Sequence, residues 1–89
     1  MTETYNVLSV EAWRSDLSWT WNNWWNIGLI SRQVLSKLTS DRAIIKWFRD
    51  EGYLSEFSKG KVKLEHDGYN IVVCEKGNGC PLFAIVVGE

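Results

Sequence analysis

Residues 40–52 read Ser-Asp-Arg-Ala-Ile-Ile-Lys-Trp-Phe-Arg-Asp-Glu-Gly, and this stretch predicts the main helix of the chain. Its apolar residues recur at the spacing that places side chains on one face of an α-helix: Ala43, Ile44, Trp47 and Phe48. Ser40 or the preceding Thr39 can cap the first turn, and Gly52 is suited to end the last one. We therefore expect an amphipathic helix with one face packed against the rest of the protein.

The residues before this helix predict strands. Residues 4–13 are rich in strand formers and residues 18–30 are richer still in aromatics, which predicts a long β-hairpin with its turn at residues 14–18. Residues 31–38 carry apolar residues at helical spacing and predict a short helical turn.

The residues after Gly60 predict three more strands, at residues 61–66, 69–76 and 80–87. Asp67-Gly68 and Gly77-Asn78-Gly79 are typical of the tight turns between them. The last two strands are apolar on both faces, so they form the centre of the sheet or present one face to another subunit.

Together these elements predict an α+β fold in a single domain over residues 1–89. The order is ββαβββ, with one main helix packed on a face of a largely antiparallel sheet. We expect the core to contain apolar residues of the helix and of the last strands: Ile44, Phe48, Ile71, Val73, Phe83 and Ile85.

Charge and hydropathy exclude some classes of function. The net charge of the 89 residues is −1, which does not indicate nucleic acid or a membrane as a general partner. Residues 31–63 nevertheless hold eight basic and four acidic residues, which indicates a basic face. The chain has no apolar run of about 18 residues and no basic, apolar leader at its start, so we expect a cytoplasmic protein.

The sequence offers little for catalysis. His66 is the one histidine, and strand alternation points it away from its neighbour Asp67. Cys74 and Cys80 suit buried or incidental thiols, and they would pair only if the turn between them were centred on Gly77. Since no phosphate loop, nucleophile motif or set of four metal ligands is present, we expect no enzyme activity, no metal and no cofactor.

Five of the six tryptophans lie within thirteen residues of the predicted hairpin. A turn at Asp16 would pair Trp13 with Trp19, Glu11 with Trp21 and Val7 with Trp25. One face would then carry Trp13, Trp19, Trp21 and Trp25, and the other Trp24. Packing between the strands explains some of these indoles. We expect at least one to stay exposed and to contact a partner or a second subunit, with Trp19, Trp21 and Trp24 as first candidates.

Two further patterns suggest binding. Asn22, Asn23 and Asn26 lie among the indoles, where amides suit either a flat polar ligand such as a nucleobase or ordinary turns and edges. Arg42, Lys46 and Arg49 form a basic stripe along the predicted helix. Such a stripe is either a solvated face or a contact for phosphate or an acidic protein.

Two groups of segments resemble small accessory proteins of bacteriophages and prophages. The first is Val10-Glu11-Ala12-Trp13 with Trp19-Thr20-Trp21-Asn22-Asn23-Trp24; the second is residues 47–54 with residues 69–73 and 81–85. The segments span most of the chain and consist of packing residues. The resemblance implies a phage origin and, by analogy, an inhibitor of host machinery such as an anti-CRISPR or other anti-defence protein.

The leading hypothesis from the sequence is a non-catalytic protein that occludes a host component, foremost an immune effector in the host cytoplasm. One alternative is a nucleotide or single-stranded nucleic-acid binder that stacks bases on its tryptophans. A second alternative is a structural or assembly protein of a phage particle, which would form homo-oligomers.

Overall fold

The computed structural model describes residues 4–15 and 18–87. Five strands, two helices and one 3₁₀ turn follow one another along the chain: β1 Thr4–Ser15, β2 Ser18–Ser31, α1 Arg32–Lys37, α2 Asp41–Asp50, the 3₁₀ turn Glu56–Ser58, β3 Val62–Asp67, β4 Asn70–Glu75 and β5 Pro81–Val86.

The strands form one antiparallel sheet in the order β2-β1-β5-β4-β3. This arrangement confirms the predicted α+β class, and α1 lies where a short helical turn was predicted. β5 is the central strand, which explains why its sequence is apolar on both faces. β2 and β3 are the two edges.

The main helix α2 begins and ends as its sequence predicts. The Ser40 side chain caps it by accepting a hydrogen bond from the Ala43 backbone N–H at 3.2 Å. Gly52 adopts a φ of 89°, a left-handed conformation that suits glycine. The chain then folds back, and the Tyr53 backbone N–H donates to the Phe48 carbonyl at 3.0 Å. The turn therefore places Tyr53 beside the apolar face of α2.

Apolar side chains are buried on both faces of the sheet. On one face, α2 and apolar residues around α1 cover a core that includes Val7, Ile30, Ile44, Phe48, Val73 and Ile85. Four of the six predicted core residues are buried there, while Ile71 and Phe83 are half-buried against the same core. The other face holds a second, smaller cluster, hereafter the second cluster: Leu8, Val10, Val72, Cys74 and Ala84.

The register of the first hairpin differs from the predicted one. Trp13 lies opposite Thr20, Glu11 opposite Asn23 and Val7 opposite Gly28. The predicted pairing was wrong for two reasons. Next to the turn, Ser18 pairs with Ser15 and not with Arg14, an offset of one residue, and β2 then contains two extra residues, Asn22 and Ile27, where the register shifts further. The predicted turn residue Asp16 lies outside the described residues.

The later turns are close to the prediction. Asp67 still pairs with Asn70, so the β3–β4 turn is Gly68-Tyr69, one residue later than predicted, with a φ of 60° at Gly68. In the β4–β5 turn, the Asn78 side chain accepts a hydrogen bond from the Cys80 backbone N–H at 2.8 Å. This contact fixes the turn beside the start of the central strand.

Candidate binding surfaces

Three hairpin tryptophans lie on the sheet face opposite the helices. Trp19, Trp21 and Trp24 pair with Arg14, Ala12 and Val10, which are alternate residues of β1. Residues that pair directly across an antiparallel ladder share a face, so all three indoles lie on the side of the second cluster. We call Trp19, Trp21 and Trp24 the tryptophan face.

This arrangement corrects the predicted distribution of the tryptophans. Trp24 does not lie alone, because the extra residue Asn22 interrupts the alternation and brings Trp21 and Trp24 to the same face. Their rings meet edge to face, with centroids 6.3 Å apart and planes at 65°. Trp13 and Trp25 lie on the helix side of the hairpin. Trp13 and Ser9, the partner of Trp25, alternate along β1 with the residues that pair with the tryptophan face.

The indoles of the tryptophan face differ in their surroundings. Trp21 is half-buried and packs against the second cluster, so it serves as part of its cover. Trp19 is half-buried too, and its Nε1 donates to the Asn78 carbonyl at 3.1 Å, which joins the hairpin to the β4–β5 turn. Trp24 has 56% of its surface exposed and is available to a partner.

A groove of about 480 Å³ crosses this face. Trp19 and Trp21 from β2 line it on one side, and Glu65 and Asp67 from β3 line it on the other. Val72 and Cys74 of β4 lie between them. Arg14 and His66 also line it, so the groove combines aromatic planes with charges of both signs.

The predicted amide ligands are engaged inside the hairpin. Asn22 Oδ1 accepts a hydrogen bond from Trp13 Nε1, and Asn23 Nδ2 donates to Glu11 Oε1 at 2.9 Å. Asn23 lies in the same phase of the ladder as Trp25, on the face away from Trp24. These amides hold the two strands together, and Asn23 does not join the tryptophan face.

The predicted basic stripe lies on α2, on the other side of the sheet from the tryptophan face. Lys46 forms an exposed ion pair with Asp50 at 2.9 Å. Arg42 is exposed and Arg49 is half-buried. The sequence-predicted site residues therefore form two separate surfaces.

A second groove of about 480 Å³ contains the part of this stripe that faces the sheet edge. It is lined by five basic residues, Arg42, Arg49, Lys59, Lys63 and Lys76, and by the single acid Asp41. We call it the basic groove. The run of lysines from Lys59 gave a partial signal for it in the sequence, but Lys76 reaches it only because β4 pairs with β3.

The reactive side chains Cys74 and His66 both line the first groove. Burial, with a smaller effect from Glu65, raises the pKa of the Cys74 thiol to about 11, so it stays protonated at neutral pH. His66 Nε2 lies 3.4 Å from Asp41 Oδ1, and both side chains are exposed. Over residues 4–15 and 18–87, no three His, Cys, Asp or Glu side chains converge as metal ligands.

In the same described ranges, neither helix has the length and apolar character needed to cross a bilayer. Comparison with protein-family models, with curated proteins and with solved structures found no match to this chain.

Proposed function

We propose that this chain is a small, non-catalytic, phage-type binding protein that inhibits a host component by direct occlusion. The leading target class is a bacterial immune effector, which would make the chain an anti-CRISPR or other anti-defence protein. The observation that carries the proposal is the tryptophan face, where the exposed indole of Trp24 projects from a strand of the sheet.

The tryptophan face has the properties of an interface centre. Exposed tryptophan is enriched among the residues that dominate binding energy. Trp24 is held by its ring contact with Trp21, which is itself packed on the second cluster, so little side-chain freedom remains to be lost on binding. The strand that carries them, Ser18–Ser31, has no charged residue to desolvate.

The test of this proposal is functional. Expression of the chain in a bacterium with active CRISPR immunity should raise the plating efficiency of a phage that this immunity restricts. Trp24→Ala should abolish the effect, while Tyr69→Ala, which removes an aromatic with 80% exposure at the β3–β4 turn, should retain it. The proposal is contradicted if the chain raises plating efficiency neither in this bacterium nor in bacteria that carry other anti-phage immune systems. It is also contradicted if the Trp24→Ala variant raises plating efficiency as much as the parent does.

A second candidate function is the binding of a nucleotide or single-stranded nucleic acid. It is favoured by the three indoles on one face beside a groove of about 480 Å³. The charges of the groove are mixed: the carboxylates of Glu65 and Asp67 repel phosphate, while the guanidinium of Arg14 attracts it.

Tryptophan fluorescence separates this candidate from the first. Stacking of a base on an indole contributes about 1–3 kcal/mol and quenches its emission. Titration with mononucleotides, cyclic dinucleotides and short oligonucleotides should then show saturable quenching that Trp24→Ala reduces. A flat titration with all of these ligands eliminates the candidate.

A further inference from the structure

The basic groove runs along the free edge of the sheet. β3 is the outermost strand on this side, and three of its consecutive residues, Val62, Lys63 and Leu64, line the groove. Side chains of consecutive strand residues point to opposite faces. Val62 and Leu64 belong to the core on the helix side and Lys63 to the other face, so the cavity reaches both sides of this edge strand.

Backbone groups of β3 point toward this edge, where Val62 and Leu64 keep 6% and 9% of their surface exposed and His66 is exposed. The Lys76 N–H donates to the Lys61 carbonyl at 2.9 Å, which makes this a hydrogen-bonded pair of the β3–β4 ladder. Such pairs alternate along an antiparallel ladder, so the N–H and C=O groups of Val62, Leu64 and His66 point outward. Within the part of the chain that the structure describes, no backbone hydrogen bond reaches them.

The cations of the groove lie on both sides of this edge. Arg42 and Arg49 project from α2, about 10 Å apart along the helix axis. Lys63 pairs with Cys74 of the second cluster and so lies on the opposite face of the sheet. Lys59 and Lys76 lie near the first residues of β3, and Ile45, Val62 and Leu64 supply apolar surface between the charges.

These charges are poorly neutralised by the protein itself. Among the described residues, no carboxylate forms an ion pair with Arg42, Arg49, Lys59 or Lys76. Lys63 contacts Glu65 at 3.1 Å, but both side chains are about half exposed, and surface pairs of this kind contribute little. Five cations around one acid in a chain with a net charge of −1 imply that charge is strongly segregated toward this edge.

We propose that the basic groove binds an acidic segment of a partner protein, which adds to β3 in extended conformation as a sixth strand. Its main chain pairs with the free groups of Val62, Leu64 and His66. Its side chains alternate, so acids on one face meet Arg42 and Arg49 and acids on the other face meet Lys63. A nucleic-acid strand would use the cations but lacks the alternating N–H and C=O groups that match the edge.

This site is distinct from the tryptophan face and does not depend on the function proposed for it. The two lie on different parts of the sheet, so a variant in one leaves the other intact. Failure of the peptide-binding experiment would therefore count against the basic groove alone, and failure of the plating experiment against the tryptophan face alone.

The experiment uses the labelled seven-residue Glu-Val peptide Glu-Glu-Val-Glu-Glu-Val-Glu, capped at both ends, with fluorescence polarisation as the readout. Its order places acids on both faces of an extended strand. Two further versions carry N-methyl groups on alternate residues, one in each phase of the strand. When the peptide adds to β3 as a strand, only every second residue of the peptide points its N–H toward β3. One methylated version should bind at least tenfold more weakly than the parent, and the other should bind like it.

Charge variants test the cationic part of the proposal. Arg42→Gln with Arg49→Gln should weaken the peptide about tenfold, since two charge-assisted contacts are lost. The matched control is Arg32→Gln with Lys37→Gln, which removes the same charge from exposed positions of α1 outside the groove and should leave binding unchanged. Amide resonances of Val62, Leu64 and His66 should shift and become protected from exchange when the peptide binds.

Several outcomes overturn the proposal. Equal binding of both methylated peptides shows that the main chain is not used. Tighter binding of a twelve-residue oligothymidylate than of the Glu-Val peptide assigns the groove to nucleic acid. No binding of the parent peptide at millimolar concentration, or unchanged binding by the arginine variant, excludes an acidic strand at this edge.

Discussion

Asn22 determines which aromatic side chains of the hairpin lie together. As one extra residue in β2, it shifts the alternation of the strand and places Trp21 and Trp24 side by side. Its amide also accepts a hydrogen bond from Trp13, so the position is stabilised within the hairpin. The tryptophan face thus depends on a single local irregularity.

Trp21 and Trp24 should respond differently to substitution. Trp21→Ala uncovers the second cluster and should lower the free energy of unfolding by about 2 kcal/mol, because a half-buried indole loses its contacts. Trp24→Ala, with the more exposed ring, should change it by less than about 0.5 kcal/mol. Urea denaturation of the two variants measures both values. If both variants lose the same free energy of unfolding, Trp24 contributes to stability as much as Trp21 does.

The Cys74 thiol should make stability depend on alkaline pH. Its pKa is raised by burial to about 11 from an ordinary 9.0, so the folded protein keeps a proton that the unfolded chain releases. The free energy of unfolding should therefore fall as the pH rises from about 9 to about 11. Cys74→Ala should lower stability at neutral pH and flatten this fall. A slope that is identical in the variant would show that other groups cause it.

At the scale of elements, the packing of β2 against the turn after α2 is tight at one point. A Cβ at Gly28 would collide with the hydroxyl of Tyr53, while the Tyr53 ring carbon would lie 3.3 Å away. Gly28→Ala should therefore destabilise the protein by about 1–3 kcal/mol.

A second substitution tests that explanation. Tyr53→Phe removes the hydroxyl, so Gly28→Ala in the Tyr53→Phe background should cost much less than in the parent. Thermal unfolding of the four proteins in this double-mutant cycle gives the coupling directly. Additive effects would show that the strain arises elsewhere, for example from the strand backbone.

Phe48 is one of the two buried residues through which the helix α2 packs on the sheet; the other is Ile44. The Phe48 side chain is fully buried and its ring lies 5.3 Å from Trp47 and 5.7 Å from Phe83 between centroids. Phe48→Ala should cost about 3–5 kcal/mol, which is enough to unfold a domain of marginal stability. An unchanged melting temperature in circular dichroism would contradict this assignment of the helix face.

At the scale of the whole molecule, the class and the elements were predictable while the surfaces were not. The cap at Ser40 and the apolar face of α2 are local patterns, and the structure confirms both. The placement of the indoles depends on the extra residue Asn22, which no propensity reveals. The basic groove includes Lys76, which is distant in sequence from α2 and reaches the groove only through the pairing of β4 with β3.

The sheet order also constrains how the chain can fold as it is synthesised. β5 is made after the other four strands of this sheet, yet it joins the β1–β2 hairpin to the β3–β4 hairpin. The pair between Asn6 and Val86 therefore forms only after β5 has been synthesised. Until then the two hairpins share no strand edge and the core under α2 lacks Ile85. Contacts of such long sequence separation slow folding. A ribosome-bound chain that lacks β5 therefore holds two open hairpins, and the sheet closes only after this strand has left the exit tunnel.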